Sequence, residues 1–157
     1  GFTEQVPQTV FVLNTQKSRT KKIGDTCYKA IKIKSDKYYG VEKIRIEDTD
    51  IAISDRERTL VDFIYNPIGS FENLRQVIKQ NIQKIDVQKF IKYLIQFPEA
   101  SVRKRTGYIL ERLNYPRNLL DKLKKSLGRQ ETYIVLNMFN KSRKGKLNKN
   151  WGLIVNT

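Results

Sequence analysis

The stretch ISDRERTLVDFIYNP, residues 53–67, crowds Asp55, Glu57 and Asp62 together with Arg56 and Arg58 into the front of an apolar run. If this chain does acid–base or Mg²⁺-assisted chemistry, these carboxylates are where it starts. A nuclease of that kind needs Asp55, Glu57 and Asp62 to converge on a metal or substrate in a cleft. Their spacing favours a plainer role. Asp55 and Glu57 are two apart and do not share a helical face. Ser54-Asp55-Arg56-Glu57 fits S-x-x-E, the capping box, in which the Ser54 hydroxyl accepts from the Glu57 amide. The Glu57 carboxylate in turn reaches back to the Ser54 amide. Both acids then sit at the positive end of a helix dipole. Asp62 pairs with Arg58 one turn away, and Leu60, Val61, Phe63 and Ile64 supply the buried side. The stretch reads as the start of a helix, and the chain as a non-enzyme.

Composition narrows the chemistry further. There is no histidine and a single cysteine, Cys27, which excludes zinc sites of the usual Cys/His kinds and the commonest general base. The glycines form neither a P-loop nor a G-x-G-x-x-G pattern. No cofactor and no metal are expected. One cysteine cannot close an internal disulfide, no secretory leader is visible, and no apolar run approaches the ~18 residues of a membrane span. A cytoplasmic protein with no membrane partner is the expectation. The chain begins at Gly1 and its single Met is Met138, which reads as a piece cut from a longer polypeptide.

Charge is the strongest compositional signal. The 157 residues carry 31 Lys and Arg against 16 Asp and Glu, a net +15. Residues 101–157 alone hold 14 basic and 3 acidic residues. An excess confined to one third of the chain implies an anionic partner. Ser101-Val102-Arg103-Lys104-Arg105 places three cations in the first turn of a helix, against its dipole, at a cost of ~0.3–1 kcal/mol each. A local rule broken without evident compensation points to function; the alternative is that the three cations are solvated and answered by acids such as Glu99. Lys122, Lys124, Lys125 and Arg129 line the polar side of the next helix, and Arg143, Lys144 and Lys146 lie in a basic loop beyond it. These ten residues are the candidate partner or nucleic-acid surface. Aromatics near them, Tyr108, Tyr115, Tyr133, Phe139 and Trp151, could stack on unpaired bases but sit within apolar patterns that suit a core.

The elements that must position these groups follow from periodicity. Residues 8–15, 27–34, 41–48 and 51–54 read as strands, with Ile44 and Ile46 alternating against Lys43 and Arg45. From Ser54 the period becomes helical. Apolar stripes run through Phe71, Leu74, Val77, Ile78 and Ile82; Val87, Phe90, Ile91 and Leu94; Val102, Ile109 and Leu113; and Leu119, Leu120, Leu123 and Leu127. Ser70, Asp86, Ser101 and Asn118 are the expected N-caps, and Gly128 the closing glycine. Residues 132–138 and 151–156 return to strand character around a basic loop, as a long hairpin. The expected fold is α+β in one domain, 1–157: N-terminal strands, about five central helices, and a C-terminal hairpin that rejoins the first sheet.

Several of these pieces together resemble a known family. Tyr39-Gly40-Val41-Glu42, the run from Ile53 to Asp62 and the loop Pro67 to Gly69 resemble the middle of the AbiEi family, the antitoxin and transcriptional-regulator half of AbiE abortive-infection toxin–antitoxin pairs. RKRTGYILERL (103–113) resembles that family's R-x-G-[YF]-[LI]-L-E helix, and NWGLIVN (150–156) its closing W-x-[LIV]-x-[VI]-N strand. GFTEQVP (1–7) is similar to a segment that in the family follows an N-terminal winged helix, which has no counterpart in this chain. Ile68-Gly69-Ser70 departs from the Gly-Gly common there. The resemblance implies the C-terminal antitoxin domain of a phage-resistance pair. Its partner would be a cognate nucleotidyltransferase toxin, met directly or functionally, with operator DNA reached through the full-length regulator and RNA as a further partner of the basic face. The alternative is a stand-alone basic nucleic-acid-binding module without antitoxin activity.

Overall fold

The computed structural model describes residues 8–129 and 132–156; the 1–7 segment of the family resemblance lies outside them. The chain divides into two compact units, Gly1–Ile53 and Ser54–Thr157, where the sequence reads as one domain.

The first unit is built from strands. β1 (Thr9–Asn14), β2 (Arg19–Ile23) and β3 (Thr26–Lys32) form a sheet in the order β1-β3-β2. β1 runs parallel to β3, with Val10 opposite Tyr28. β2 runs antiparallel, with Ile23 opposite Thr26. The two-residue turn between them puts Gly24 at φ +57, the left-handed region a tight hairpin demands. β2 is a correction to the sequence reading, which makes RTKKI part of a link. With every side chain exposed it has no apolar alternation, and pairing with β3 alone makes it a strand. Asn14 organises the β1–β2 connection, its Oδ1 accepting from the amides of Gln16 and Lys17 at 2.9 and 2.8 Å. A second hairpin pairs β4 (Val41–Ile46) with β5 (Thr49–Ser54). Among the described side chains of this unit none is buried; Leu13, Cys27 and Ile31 are half-buried.

The second unit carries the core. α1 (Arg56–Tyr65), α2 (Phe71–Asn81), α3 (Val87–Gln96), α4 (Ala100–Arg112) and α5 (Arg117–Lys125) precede three short strands, β6 (Ile134–Val135), β7 (Lys146–Asn148) and β8 (Leu153–Val155). The fold is thus α+β in the expected order. α1 packs on α2, α3 and α4, and α5 on α3 and α4. Leu60, Val61, Ile64, Leu74, Ile78, Phe90, Leu94, Leu110, Leu123 and Leu153 are buried, and every buried apolar side chain among the described residues belongs to this unit. At ~1.5–3 kcal/mol for each such side chain, the helical unit holds nearly all the hydrophobic stabilisation.

Caps follow the sequence in part. Ser70 Oγ accepts from the Asn73 amide at 3.1 Å, and Asp86 Oδ1 from Gln88 and Lys89 at 2.9 and 3.1 Å. α4, however, starts at Ala100 behind Glu99, and α5 at Arg117 behind Pro116, so Ser101 and Asn118 are not N-caps. The Pro116 carbonyl accepts from Leu119 and Leu120 and starts the last helix without a side-chain cap. Gly128 has φ +60, as a residue closing a helix does.

The C-terminal strands also differ from the expected long hairpin. β6 is parallel to β8, with Ile134 opposite Leu153, while β7, out of the basic loop, is antiparallel to β8. The three form a sheet of their own in the order β6-β8-β7 and do not rejoin the first. No helix among the described residues is long and apolar enough to cross a membrane.

Candidate functional site

The acidic stretch 54–62 folds differently from a capping box. The N-cap of α1 is Asp55, whose Oδ1 accepts from the Arg58 amide at 2.7 Å. Ser54 Oγ instead shares a 2.7 Å hydrogen bond with Thr59 Oγ1. Glu57 does not reach back to Ser54. Its Oε1 accepts from the Asp86 amide at 2.9 Å, a donor at the head of α3 that its own helix cannot satisfy. A carboxylate is the stronger acceptor for a helix start, so Asp55 takes the cap and frees Glu57 to serve the neighbouring helix.

The two carboxylates then meet after all. Lys89 Nζ lies 3.1 Å from Asp55 Oδ2 and 3.1 Å from Glu57 Oε2, and Tyr93 Oη donates to Asp55 Oδ2 at 2.8 Å. The hydrogen bond to Asp55, then that to Glu57, holds the Lys89 amine above its usual range. Burial, followed by the bond to Asp55, pushes the Tyr93 phenol up. Asp62 belongs to another pair: Arg58 Nη2 and Nε donate to it at 2.8 and 3.0 Å. Burial raises Asp62 despite that cation. The Arg58 guanidinium also lies 5.6 Å from the centre of the Phe97 ring. Two of the three carboxylates are thus clamped by one ammonium, and the third by a guanidinium. Among the described residues no three His, Cys, Asp or Glu side chains gather as a metal-binding group. Chemically the cluster is a tie from α1 to α3.

The ten candidate cations separate into two kinds. Arg103 Nη1 donates to the carbonyls of Ile95 and Phe97 at 3.0 and 2.8 Å, at the C-terminal end of α3, where a cation is favoured. Lys104 is buried, 5% exposed, and donates to Thr132 O at 2.7 Å. Arg105 Nε and Nη2 donate to Val135 O at 3.2 and 3.1 Å, and Nε also to Leu136 O. Burial pulls all three cations below their usual range. The unfavourable dipole that singles them out in sequence is thus answered by carbonyls from α3 and from the 132–136 segment. They fasten α4 to its neighbours.

Lys122, Lys124, Lys125, Arg129, Arg143, Lys144 and Lys146 are exposed. Lys124 Nζ reaches Asn150 Oδ1 at 3.5 Å and sets α5 beside the turn leading into β8. Arg143 Nη2 donates to Tyr133 O at 3.1 Å while its side chain stays at the surface. The outward cations therefore come from α5 and the residues just after it, from the 141–145 loop, and from β7, which begins at Lys146 where the sequence reads a loop.

Other residues of the resembling motifs meet in space. A Cβ on Gly107 would lie 2.1 Å from Trp151 Cζ3; the helix offers its glycine to the indole ring. Trp151 is 1% exposed and its Nε1 donates to Glu111 Oε2 at 3.1 Å. Asn156 accepts from the Asn137 amide at 2.8 Å and donates to the carbonyls of Asn137, Asn140 and Ser142. It thereby holds the start of the basic loop. R-x-G-Y, the E one turn on and W-G-L-I-V-N form one packing arrangement. Lys89 and Tyr93 were invisible to sequence reasoning, since nothing in DVQKFIKYLIQF marks them as partners of residues ~30 positions earlier.

No protein-family model, no curated protein and no solved structure matches this chain.

Proposed function

We propose that this chain is a non-catalytic antitoxin module of the AbiE type, acting in the cytoplasm on a nucleotidyltransferase toxin. The observation that carries the proposal is the meeting of Gly107, Glu111 and Trp151. Gly107, Glu111 and Trp151, three of the residues that carry the resemblance to AbiEi proteins, set how α4 packs beside the turn into β8, which supports the reading. The clamped state of Asp55, Glu57 and Asp62 supports a binding role over a hydrolytic one. The exposed cations of α5 and the 141–149 segment supply the contact surface for an acidic toxin face. In the full-length regulator they would also assist operator DNA.

Growth rescue tests this. The chain is co-expressed with the toxin-like gene adjacent to its own, and culture growth is followed. Rescue is expected, and reversal to Glu of Lys122, Lys124, Lys144 and Lys146 together should abolish it without loss of folded protein. Failure of the chain alone and of the full-length protein would overturn the antitoxin assignment. A second reading, a stand-alone nucleic-acid-binding module, is favoured by the segregation of those same cations. It predicts strongly salt-dependent duplex binding with no rescue, by roughly 0.9 log unit of affinity per log unit of salt for each phosphate contact.

A further inference from the structure

The first unit contains a cationic surface that the proposed function does not use. Residues 17–34 hold seven basic residues and one acid, Asp25, and most of them sit on the β1-β3-β2 sheet. The register sorts them by face, because successive side chains in a strand alternate. Lys21 is opposite Tyr28, Tyr28 is opposite Val10, and Arg19 is opposite Ala30. One face thus carries Tyr28 on the central strand, Lys21 beside it, Arg19 one step along β2, and Lys32 further along β3. Phe11, Lys22, Lys29 and Cys27 belong to the other face. Tyr28 is 37% exposed, and Arg19, Lys21 and Lys32 are exposed. These three cations make no ion pair among the described residues. A shallow cavity of about 600 Å³, lined by Thr15, Lys32, Ile33, Lys34, Ser35 and Asp36, opens beside Lys32.

We propose that this sheet face, Tyr28 flanked by Arg19, Lys21 and Lys32, binds single-stranded nucleic acid. An aromatic ring held on a central strand offers a stacking platform to any base, and cations on the neighbouring strand, ~4.8 Å away, track the phosphates. A duplex hides its base faces and would gain only the charge contacts. Charge complementarity fixes the occupant as a polyanion, and the central ring distinguishes a strand with free bases from a lipid surface or an acidic protein. The face belongs to the strand unit and shares no residue with the cations of the helical unit, so it stands or falls independently of toxin neutralisation.

The test is fluorescence anisotropy of the whole chain with a short fluorescein-labelled oligouridylate, at several salt concentrations. Tyr28→Ala should weaken binding about tenfold, and Tyr28→Phe should restore it. The paired change Arg19→Gln and Lys21→Gln should flatten the salt dependence by about 1.4, at ~0.7 per contact on single strands. Phe11→Ala, on the opposite face, should leave affinity unchanged, and circular dichroism should be the same for every variant. The proposal is overturned if Tyr28→Ala binds like wild type while Lys122→Glu and Lys124→Glu remove binding. It is also overturned if a duplex of the same length binds as tightly as the single strand. Equal competition by polyglutamate, or by phosphatidylglycerol vesicles, would overturn it too, because neither offers a base to stack.

Discussion

Replacing Gly107 by alanine gives a sign that intrinsic propensity and packing predict oppositely. In an exposed helix interior, Gly→Ala stabilises by about 1 kcal/mol. Here the added Cβ would lie 2.1, 2.4 and 2.4 Å from Cζ3, Cε3 and Cη2 of Trp151. Ordinary carbon contacts begin near ~3.5 Å, so the ring would have to retreat by roughly 1.4 Å. Trp151 is 1% exposed and tied through Nε1 to Glu111, which leaves it little room. Overpacking of this kind costs about 1–3 kcal/mol, and disturbing the indole hydrogen bond about 1 more. After the propensity gain, Gly107→Ala should destabilise by about 2 kcal/mol, or roughly 10 °C in Tm for a unit of this size. Urea unfolding measures it, with the sole tryptophan as a fluorescence probe and circular dichroism reporting the helices. In a Trp151→Leu background the clash disappears, and the same substitution should become neutral or stabilising. A Gly107→Ala variant that is more stable than wild type would refute the packing of α4 against Trp151.

Lys104→Glu places an acid against Thr132 O in a buried site and should cost at least 3 kcal/mol in urea unfolding, whereas Lys122→Glu should stay within about 0.5 kcal/mol. Lys89→Met leaves Asp55 and Glu57 facing each other without their cation. Because Lys89 is 40% exposed, solvent screening reduces the loss to about 1–2 kcal/mol, and combining it with Glu57→Gln should cost less than the sum of the two changes. On the acid side, Arg75 first and Gln76 second hold the Glu72 carboxyl down to about 2. A depressed acid stabilises above its ordinary value of 4.5 and loses that contribution as pH falls toward about 2. Glu72→Gln should therefore flatten the stability profile between those limits, by an amount that shrinks in high salt, as thermal melts across that range would reveal.

The helices were legible because their apolar residues recur with the right period. Phe71, Leu74, Ile78 and Ile82 are buried as their spacing demands, and Ser70 and Asp86 cap the helices they precede. β2 was not legible because Arg19–Ile23 has no apolar face; only its pairing with β3 makes it a strand. The C-terminal pairing was misjudged for a related reason. Two apolar runs around a turn-rich loop suggest a hairpin, but β7 emerges from that loop and takes the antiparallel place beside β8. The capping box failed by one residue, since Ser-Asp offers two successive caps and the motif does not say which will win. Its consequence is larger than the shift. With Asp55 on the cap, Glu57 turns to the Asp86 amide and both acids close on Lys89, a convergence that spacing within one helix argued against.

The same logic separates the cations and determines how mutational tests must be built. Arg103, Lys104 and Arg105 look the most functional in sequence, because they oppose a helix dipole. Yet each donates to backbone carbonyls at 2.7–3.2 Å. Charge reversal there breaks the attachment of α4 to α3 and to the 132–136 segment, and any loss of rescue or binding would follow from lost structure. Lys122, Lys124, Lys144 and Lys146 offer their charge to solvent, so reversing them changes the surface field while the core stays intact. A partner that reads this chain through charge must therefore lose affinity in the second set at unchanged Tm. If activity were lost only in the first set, in step with stability, the anionic-partner surface would have to be sought elsewhere, and the Arg19–Lys21–Lys32 face of the strand unit is the next place where exposed charge is concentrated.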